Sequence, residues 1–242
     1  MKIKQTIIKN NQHFKTSIEN TIINNRKEIY SYLNTYTLYL INKNSQFKKY
    51  IKNANYIRIG GIGTKIYYKL LLDINIEKVT FSHFFLRFGG SEFISKKKFS
   101  VYCIGGSPKV SNKLKEVFIQ RKINLVGTHH GYFTKQEVTH IITEINLLKP
   151  QIILVGLGTP LSDSWTFANK DKLPNCAIIH VGNTFDILTD QKKIGPGFLF
   201  NSGFEWLFRL LQEPKRLSKR YAKSNFNLFI LLLKLFFTNE KK

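Results

Sequence analysis

The sequence predicts an α/β fold: a parallel sheet flanked by helices, with a basic amphipathic helical appendage at its C-terminus. Three observations carry that expectation. Short apolar runs recur along the chain between stretches of helical periodicity, the pattern of βαβ units with right-handed crossovers. Several of these runs end directly in glycine-rich turns, as parallel strands do where they deliver the chain to a helix at the carboxyl edge of a sheet. Beyond Gly195-Pro196-Gly197 the texture changes to a basic segment abutting a nearly all-apolar one.

In chain order, residues 1–27 are polar, rich in Asn and Lys, and read as an N-terminal extension without chemistry. The α/β domain is placed at residues 28–194. Within it, Glu28 to Ile41 reads as strand then helix, Phe47 to Ala54 as a short helix, and Tyr56 to Ile59 as a strand. That strand ends in Gly60-Gly61-Ile62-Gly63 ahead of a helix over Lys65 to Leu72, which makes a glycine-rich loop facing a ligand or simply a tight strand-to-helix turn. Phe99 to Ile104 and Asn124 to Gly127 are further strands, with helices over Val110 to Ile119 and Lys135 to Leu147. Ala177 to Val181 is the last strand.

The organising stretch is Gln151 to Trp165, QIILVGLGTPLSDSW. Its apolar run, Ile152 to Val155, breaks at Gly156 and Gly158, then Pro160, then a helix. Such a loop places free backbone N–H groups and a helix N-terminus where open α/β sheets bind ligands.

The appendage is placed at residues 195–242. Phe204 to Leu211 forms an apolar helix, Pro214 to Arg220 is basic, and Phe226 to Phe237 is a dozen nearly all-apolar residues. The last run is too short to span a bilayer. It suits an interfacial helix with its basic residues towards anionic headgroups, or a core helix docked on the sheet.

Of the 242 residues, 43% are hydrophobic and 22% charged, as in a folded globular protein. The formal charge of +23 implies an anionic partner: nucleic acid, lipid or a phosphorylated substrate. No basic recognition helix and no RNA-binding signature accompany the charge, so nucleic acid is not expected. Cys103 and Cys176 sit singly at apolar runs and form no disulfide or zinc pattern. The adjacent His129 and His130 lack an acidic cluster, and no metal is expected. Without a signal-length apolar core at the N-terminus, the expected location is cytoplasmic.

Five segments carry a family likeness: GGSP at Gly105, VGTHHGYF at Val126, VGLGTPLSDSW at Val155, IIHVGNTFDIL at Ile178 and FEWLFRLLQEPKR at Phe204. In this order they resemble the WecG/TagA/CpsF group of bacterial glycosyltransferases, over roughly residue 34 to the C-terminus. The resemblance implies a Rossmann-like domain whose appendage associates with the inner membrane face and helps complete the active site. It further implies an inverting transferase without a metal or other cofactor, moving a sugar, often of the N-acetylmannosamine type, from UDP to a polyprenyl-diphosphate-linked acceptor. Self-association also occurs in the family.

Residue by residue, the family's T-P-N motif falls on Tyr32-Leu33-Asn34, keeping Asn34. Its P-D-G-x-G loop falls on Ile59 to Gly63, keeping Gly61 and Gly63 but placing Gly60 at the Asp proposed as general base. The R-x-T-G-S-D motif falls on Lys78 to His83, and the Gln-Glu pair of the VGLG motif becomes Ser162 and Asp163. A glycine cannot take the acceptor's proton, so His83 and Asp163 are the expected substitutes, unless the chain binds without catalysing and serves as an accessory subunit. Gly156, Gly158, Pro160 and Ser162 shape the nucleotide loop. Asp186 orients part of it, and Arg209, Arg216 and Arg220 contact phosphates through rigid guanidinium forks.

Overall fold

The structure is a computed structural model and describes residues 5–237. Seven strands form one sheet, and every pairing in it is parallel. The elements run β1 (Thr6–Ile7), α1 (Asn11–Ile23), β2 (Glu28–Leu33), α2 (Thr35–Lys43), α3 (Ser45–Asn53), β3 (Tyr56–Ile59), α4 (Ile62–Leu72), α5 (Phe81–Arg87) and α6 (Gly90–Lys96). They continue with β4 (Val101–Gly105), α7 (Pro108–Gln120), β5 (Leu125–His129), α8 (Lys135–Leu148), β6 (Ile152–Gly156), α9 (Leu161–Asn169) and β7 (Ala177–His180). The chain closes with α10 (Thr184–Leu188), α11 (Gly197–Ser202), α12 (Glu205–Gln212) and α13 (Pro214–Phe237). This is the Rossmann-like α/β architecture that the strand and turn pattern predicts.

The strand order is β1-β3-β2-β7-β6-β4-β5. Because side chains alternate across a strand, each strand feeds two cores. Tyr30, Val101, Cys103, Leu154 and Ile179 join Phe14, Phe84, Leu114 and Phe185 on one face of the sheet. Ile29, Leu33, Ile57, Tyr102, Val155 and Ile178 join Leu38, Tyr68, Ile141 and Trp165 on the other. Helices α7 and α9 therefore leave the neighbouring strands β4 and β6 towards opposite faces. That divergence opens a crevice at the carboxyl edge, the position where ligands bind in such sheets.

Residues 5–27 depart from the expected polar extension, and Met1–Lys4 lie outside the described residues. Strand β1 pairs with β3 at the sheet edge, and α1 buries Phe14 and Ile18 completely. Asn10 caps α1 by accepting from the His13 N–H. The Asn- and Lys-rich outer face of α1 hides a buried stripe of Phe14, Ser17, Ile18 and Thr21, which is helical in spacing but only half apolar. Helices α5 and α6 have no counterpart in the expectation either; Phe81, Phe84 and Phe85 are all buried.

The basic and apolar segments after Pro214 form one helix, α13, with two apolar stripes. Leu228, Leu231, Leu232 and Leu235 pack inward against the core beside α2. Phe226, Phe229, Ile230, Leu233 and Phe237 remain exposed. Both stripes follow the three-and-four spacing of a helix face, two residues out of phase. No helix among the described residues is long and apolar enough to cross a membrane. The last five residues of the appendage lie outside the described residues.

Candidate active site

The carboxyl ends of the strands open into a cavity of about 810 Å³. Its floor is made by the loops after β2, β3, β4, β6 and β7, and its roof by α12, α13 and the segment before them. Seven cationic side chains line it against three acidic ones, Asp186, Glu205 and Glu213. An excess of buried and half-buried positive charge in a concave site focuses anionic ligands.

The sheet gathers residues that lie far apart in sequence. Asn34, Gly61 and Gly63 come from the ends of β2 and β3, Gly156 and Gly158 from β6, and Asp186 from α10. Arg209, Arg216 and Arg220 come from the roof, and all of these line the cavity. Asn34 also caps α2 in a reciprocal capping box, its Oδ1 accepting from the Thr37 N–H at 3.0 Å. Gly158 adopts φ +80°, a left-handed backbone that favours glycine, beside open space. Gly63 has a packing role: a Cβ there would stand 2.5 Å from Leu228 Cδ2, so its bareness lets α13 dock.

Four expected residues fall outside the wall. Pro160 follows a cis Thr159–Pro160 bond and does not line the cavity. Ser162 is buried and donates weakly to the Val155 carbonyl at 3.4 Å. Asp163 is also buried: it accepts from Ser31 Oγ at 3.1 Å and lies 3.3 Å from His180 Nδ1. The His180 Nε2 meets Thr166 Oγ1 at 2.9 Å, while its buried Nδ1 lies near Asp163 without a hydrogen bond. Asp163 thus faces His180 from behind the wall and does not line the cavity.

His83 is fully buried, with its ring stacked 3.9 Å from that of Phe200 and Nδ1 3.0 Å from Thr80 Oγ1. Burial, reinforced by the cations Arg87, Arg209 and Lys78 and opposed by Glu205, pushes its pKa down to about 4. It is a neutral core residue that props α11. Its position inside the F-S-H-F-F segment, where every residue from Phe81 to Phe85 is buried, marks it as a core residue.

The roof cations carry their own acids. Arg209 makes two bonds to Glu205 Oε1, at 2.7 and 3.1 Å. Arg216 pairs with Glu213. Lys192 bridges Asp186 at 3.0 Å and Glu213 at 2.7 Å, tying the loop after α10 to the start of α13. Arg220 lies 3.7 Å over the Tyr36 ring, and desolvation lowers its pKa.

Several wall residues are not among the site residues expected from the sequence. Tyr32 shares a 2.6 Å hydrogen bond with Thr159 across the crevice, and burial raises its pKa. Lys78 donates to the Phe200 carbonyl and sits 4.2 Å over that ring. Arg58, the lone charge in the strand Tyr56-Ile57-Arg58-Ile59, reaches the floor; a charge inside an apolar strand was the available signal.

The sequence model of the glycosyl transferase WecG/TagA/CpsF family matches residues 3–242, essentially the whole chain. The chain belongs to this family. Family membership implies a sugar donor and an acceptor as substrates. In this glycosyltransferase the three matched motifs converge on one cavity: the VGLG loop and the Asp186 segment form its floor and rim, and the Glu205–Arg216 segment its roof.

Proposed function

We propose that the chain moves a sugar, of the N-acetylmannosamine type or related, from a UDP-sugar to a polyprenyl-diphosphate-linked acceptor at the inner face of the cell membrane. One observation carries this reading: the helix that brings Arg216 and Arg220 to the cavity turns an apolar stripe with Phe226, Phe229 and Leu233 to the outside. A soluble donor and a lipid-borne acceptor meet where such a helix lies in the headgroup layer. Lys215, Lys219 and Lys223 on the same helix would face anionic headgroups. In this reading the segment from residue 195 onward is the closing and membrane-associating appendage.

The chemistry is a displacement at the anomeric carbon with inversion. The acceptor hydroxyl oxygen bonds to that carbon, the bond to the UDP oxygen breaks, and the hydroxyl proton passes to a base. The roof arginines hold the departing diphosphate. For the base we favour Glu205. It lies on the wall, and its Oε1 takes both bonds from Arg209 while Oε2 has no hydrogen-bond partner among the described residues. Glu213, by contrast, spends both oxygens on Lys192 and Arg216.

The test is transfer from a panel of UDP-sugars to a polyprenyl-diphosphate-linked acceptor in detergent with EDTA, by wild type, Glu205→Gln and Asp186→Asn. Glu205→Gln is expected to lower kcat about 10²- to 10⁴-fold with UDP binding retained, and Asp186→Asn to act mainly on KM. Full turnover by Glu205→Gln would remove Glu205 as base. Gly60 supports a second reading, an accessory subunit that binds without catalysing. A Cβ at position 60 meets nothing nearer than 3.5 Å, so Gly60→Asp is sterically allowed. If wild type turns over nothing although UDP raises its melting temperature, the second reading stands.

A further inference from the structure

The floor of the cavity holds a positive charge without a carboxylate partner among the described residues. Arg58 is 1% exposed, yet its side chain lines the cavity. The guanidinium makes a single hydrogen bond, from Nη2 to the His180 carbonyl oxygen, and its buried Nε has no partner. Its carbon lies 5.0 Å from the centre of the Phe14 ring and 5.8 Å from that of Phe81. Among the described residues no carboxylate pairs with it. Burial lowers its pKa to about 10, which still leaves it charged at neutral pH.

Buried charges are ordinarily paired, because desolvating an isolated one is strongly unfavourable. Beside Arg58 the cavity wall carries no side chain at Gly60, which lines the same cavity. Gly60 is the next residue on the same strand face, and a Cβ there would stand 3.5 Å from the Leu33 carbonyl, 3.8 Å from the Tyr32 ring and 4.0 Å from Thr80 Cγ2. The roof arginines differ: Arg209 and Arg216 must release Glu205 and Glu213 before binding an anion with full strength. Arg58 has no such partner to release.

We infer that Arg58 is the fixed cation of an oxyanion subsite on the cavity floor, between the ends of β2, β3 and β7, which receives a phosphate or carboxylate oxygen of the substrate. The charge-assisted bond to that oxygen supplies the missing partner. Two sources share the chemistry: the diphosphate of the donor or lipid acceptor, and the carboxylate of an acidic sugar. Their identity as substrate groups rests on the transferase reading above; the existence of the subsite does not.

The experiment measures binding of inorganic pyrophosphate, UDP, UDP-glucose and UDP-glucuronic acid to the full chain by calorimetry, with Arg58→Met and Arg58→Lys beside wild type. Arg58→Met is expected to weaken binding of the relevant oxyanion about tenfold or more, and Arg58→Lys less. A loss already present with pyrophosphate and UDP identifies the diphosphate. A loss confined to a wild-type preference for UDP-glucuronic acid over UDP-glucose identifies the sugar carboxylate. Without ligand, Arg58→Met should melt at or above the wild-type temperature, since it removes an unpaired buried charge. Binding of every probe within about twofold of wild type by both variants would overturn the subsite, as would a wild type that binds none. If Arg58→Met does not fold, Arg58→Lys decides by the same affinity criterion. Pyrophosphate binding that depends on Arg58 in a chain with no affinity for UDP would instead sink the UDP-sugar reading and leave the subsite standing.

Discussion

The floor of the cavity is made by strands whose side chains are almost all buried, whereas the roof over it leaves most of α12 and α13 half-buried or exposed. The two regions also treat charge differently. On the floor, Asp163, His180 and Arg58 are shut away from water with few partners each. On the roof, each of Arg209, Arg216 and Lys192 is matched with a carboxylate, the Arg216 and Lys192 pairs being partly open to water. Surface pairs of this kind contribute little to stability and rearrange easily, while buried polar groups are costly to disturb. The floor is therefore set when the sheet folds, whereas the ion pairs of the roof can exchange partners at lower cost.

The largest expected effect breaks the two regions apart. A chain ending at Glu213 loses α13, with Arg216, Arg220 and the docked Leu228, Leu231, Leu232 and Leu235. Transfer should fall by more than about 10³-fold, the scale for loss of several transition-state contacts, while circular dichroism still reports a cooperatively melting α/β core. Wild-type transfer by that truncated chain would mean that the roof takes no part in the site.

Next in size is a floor-against-roof pair of isosteres. Asp163→Asn should cost about 2–4 kcal/mol in urea unfolding, because it disturbs a buried cluster with Ser31 and His180. Glu213→Gln on the roof should cost about 1 kcal/mol or less. Equal losses would remove the distinction drawn between the two regions.

A pH series sharpens it further. His83 has a folded-state pKa near 4, against about 6.5 unfolded. Between these values the unfolded chain takes up a proton that the folded chain refuses. Stability therefore falls as pH drops from about 6.5 towards 4, by at most about 3 kcal/mol, and this part of the loss ends once the folded form also protonates. The difference between wild type and His83→Gln over that window isolates the effect from the carboxylates; parallel curves would place His83 in contact with water.

The smallest effect concerns the outer face of α13. Phe226→Ser and Phe229→Ser should each weaken sedimentation with anionic lipid vesicles about tenfold, the scale of losing one apolar side chain from an interface. Neither should change UDP binding. Vesicle binding that depends on Lys219 and Lys223 but not on these rings would point to electrostatic adsorption alone.

Much of the floor was readable in the sequence. Strands β2, β3, β4, β5, β6 and β7 all announce themselves as short apolar runs, and the glycine turns after β3, β4 and β6 mark which ends carry ligands. The two-residue β1 and the half-polar α1 are below what such patterns resolve, because a strand of that length has no periodicity. His83 and Asp163 have the chemistry of a base, yet both lie behind the wall. A motif gives the position of a residue along the chain but not the direction of its side chain. That direction follows from which helix face meets the core: Asp163 sits in the first turn of α9 on the side facing His180.

The fold class, the parallel sheet, the family and the segments that meet at the site are all legible in the residues alone, since each depends on local periodicity and on motifs a few residues long. Packing sets the rest: among the described residues Arg58 has no carboxylate partner and Glu205 Oε2 no hydrogen bond, and α13 divides its apolar residues between the core and the outside. Those facts depend on strands brought together from distant parts of the chain, where burial and the presence or absence of a partner are fixed by packing, and packing is not written in any single stretch of residues.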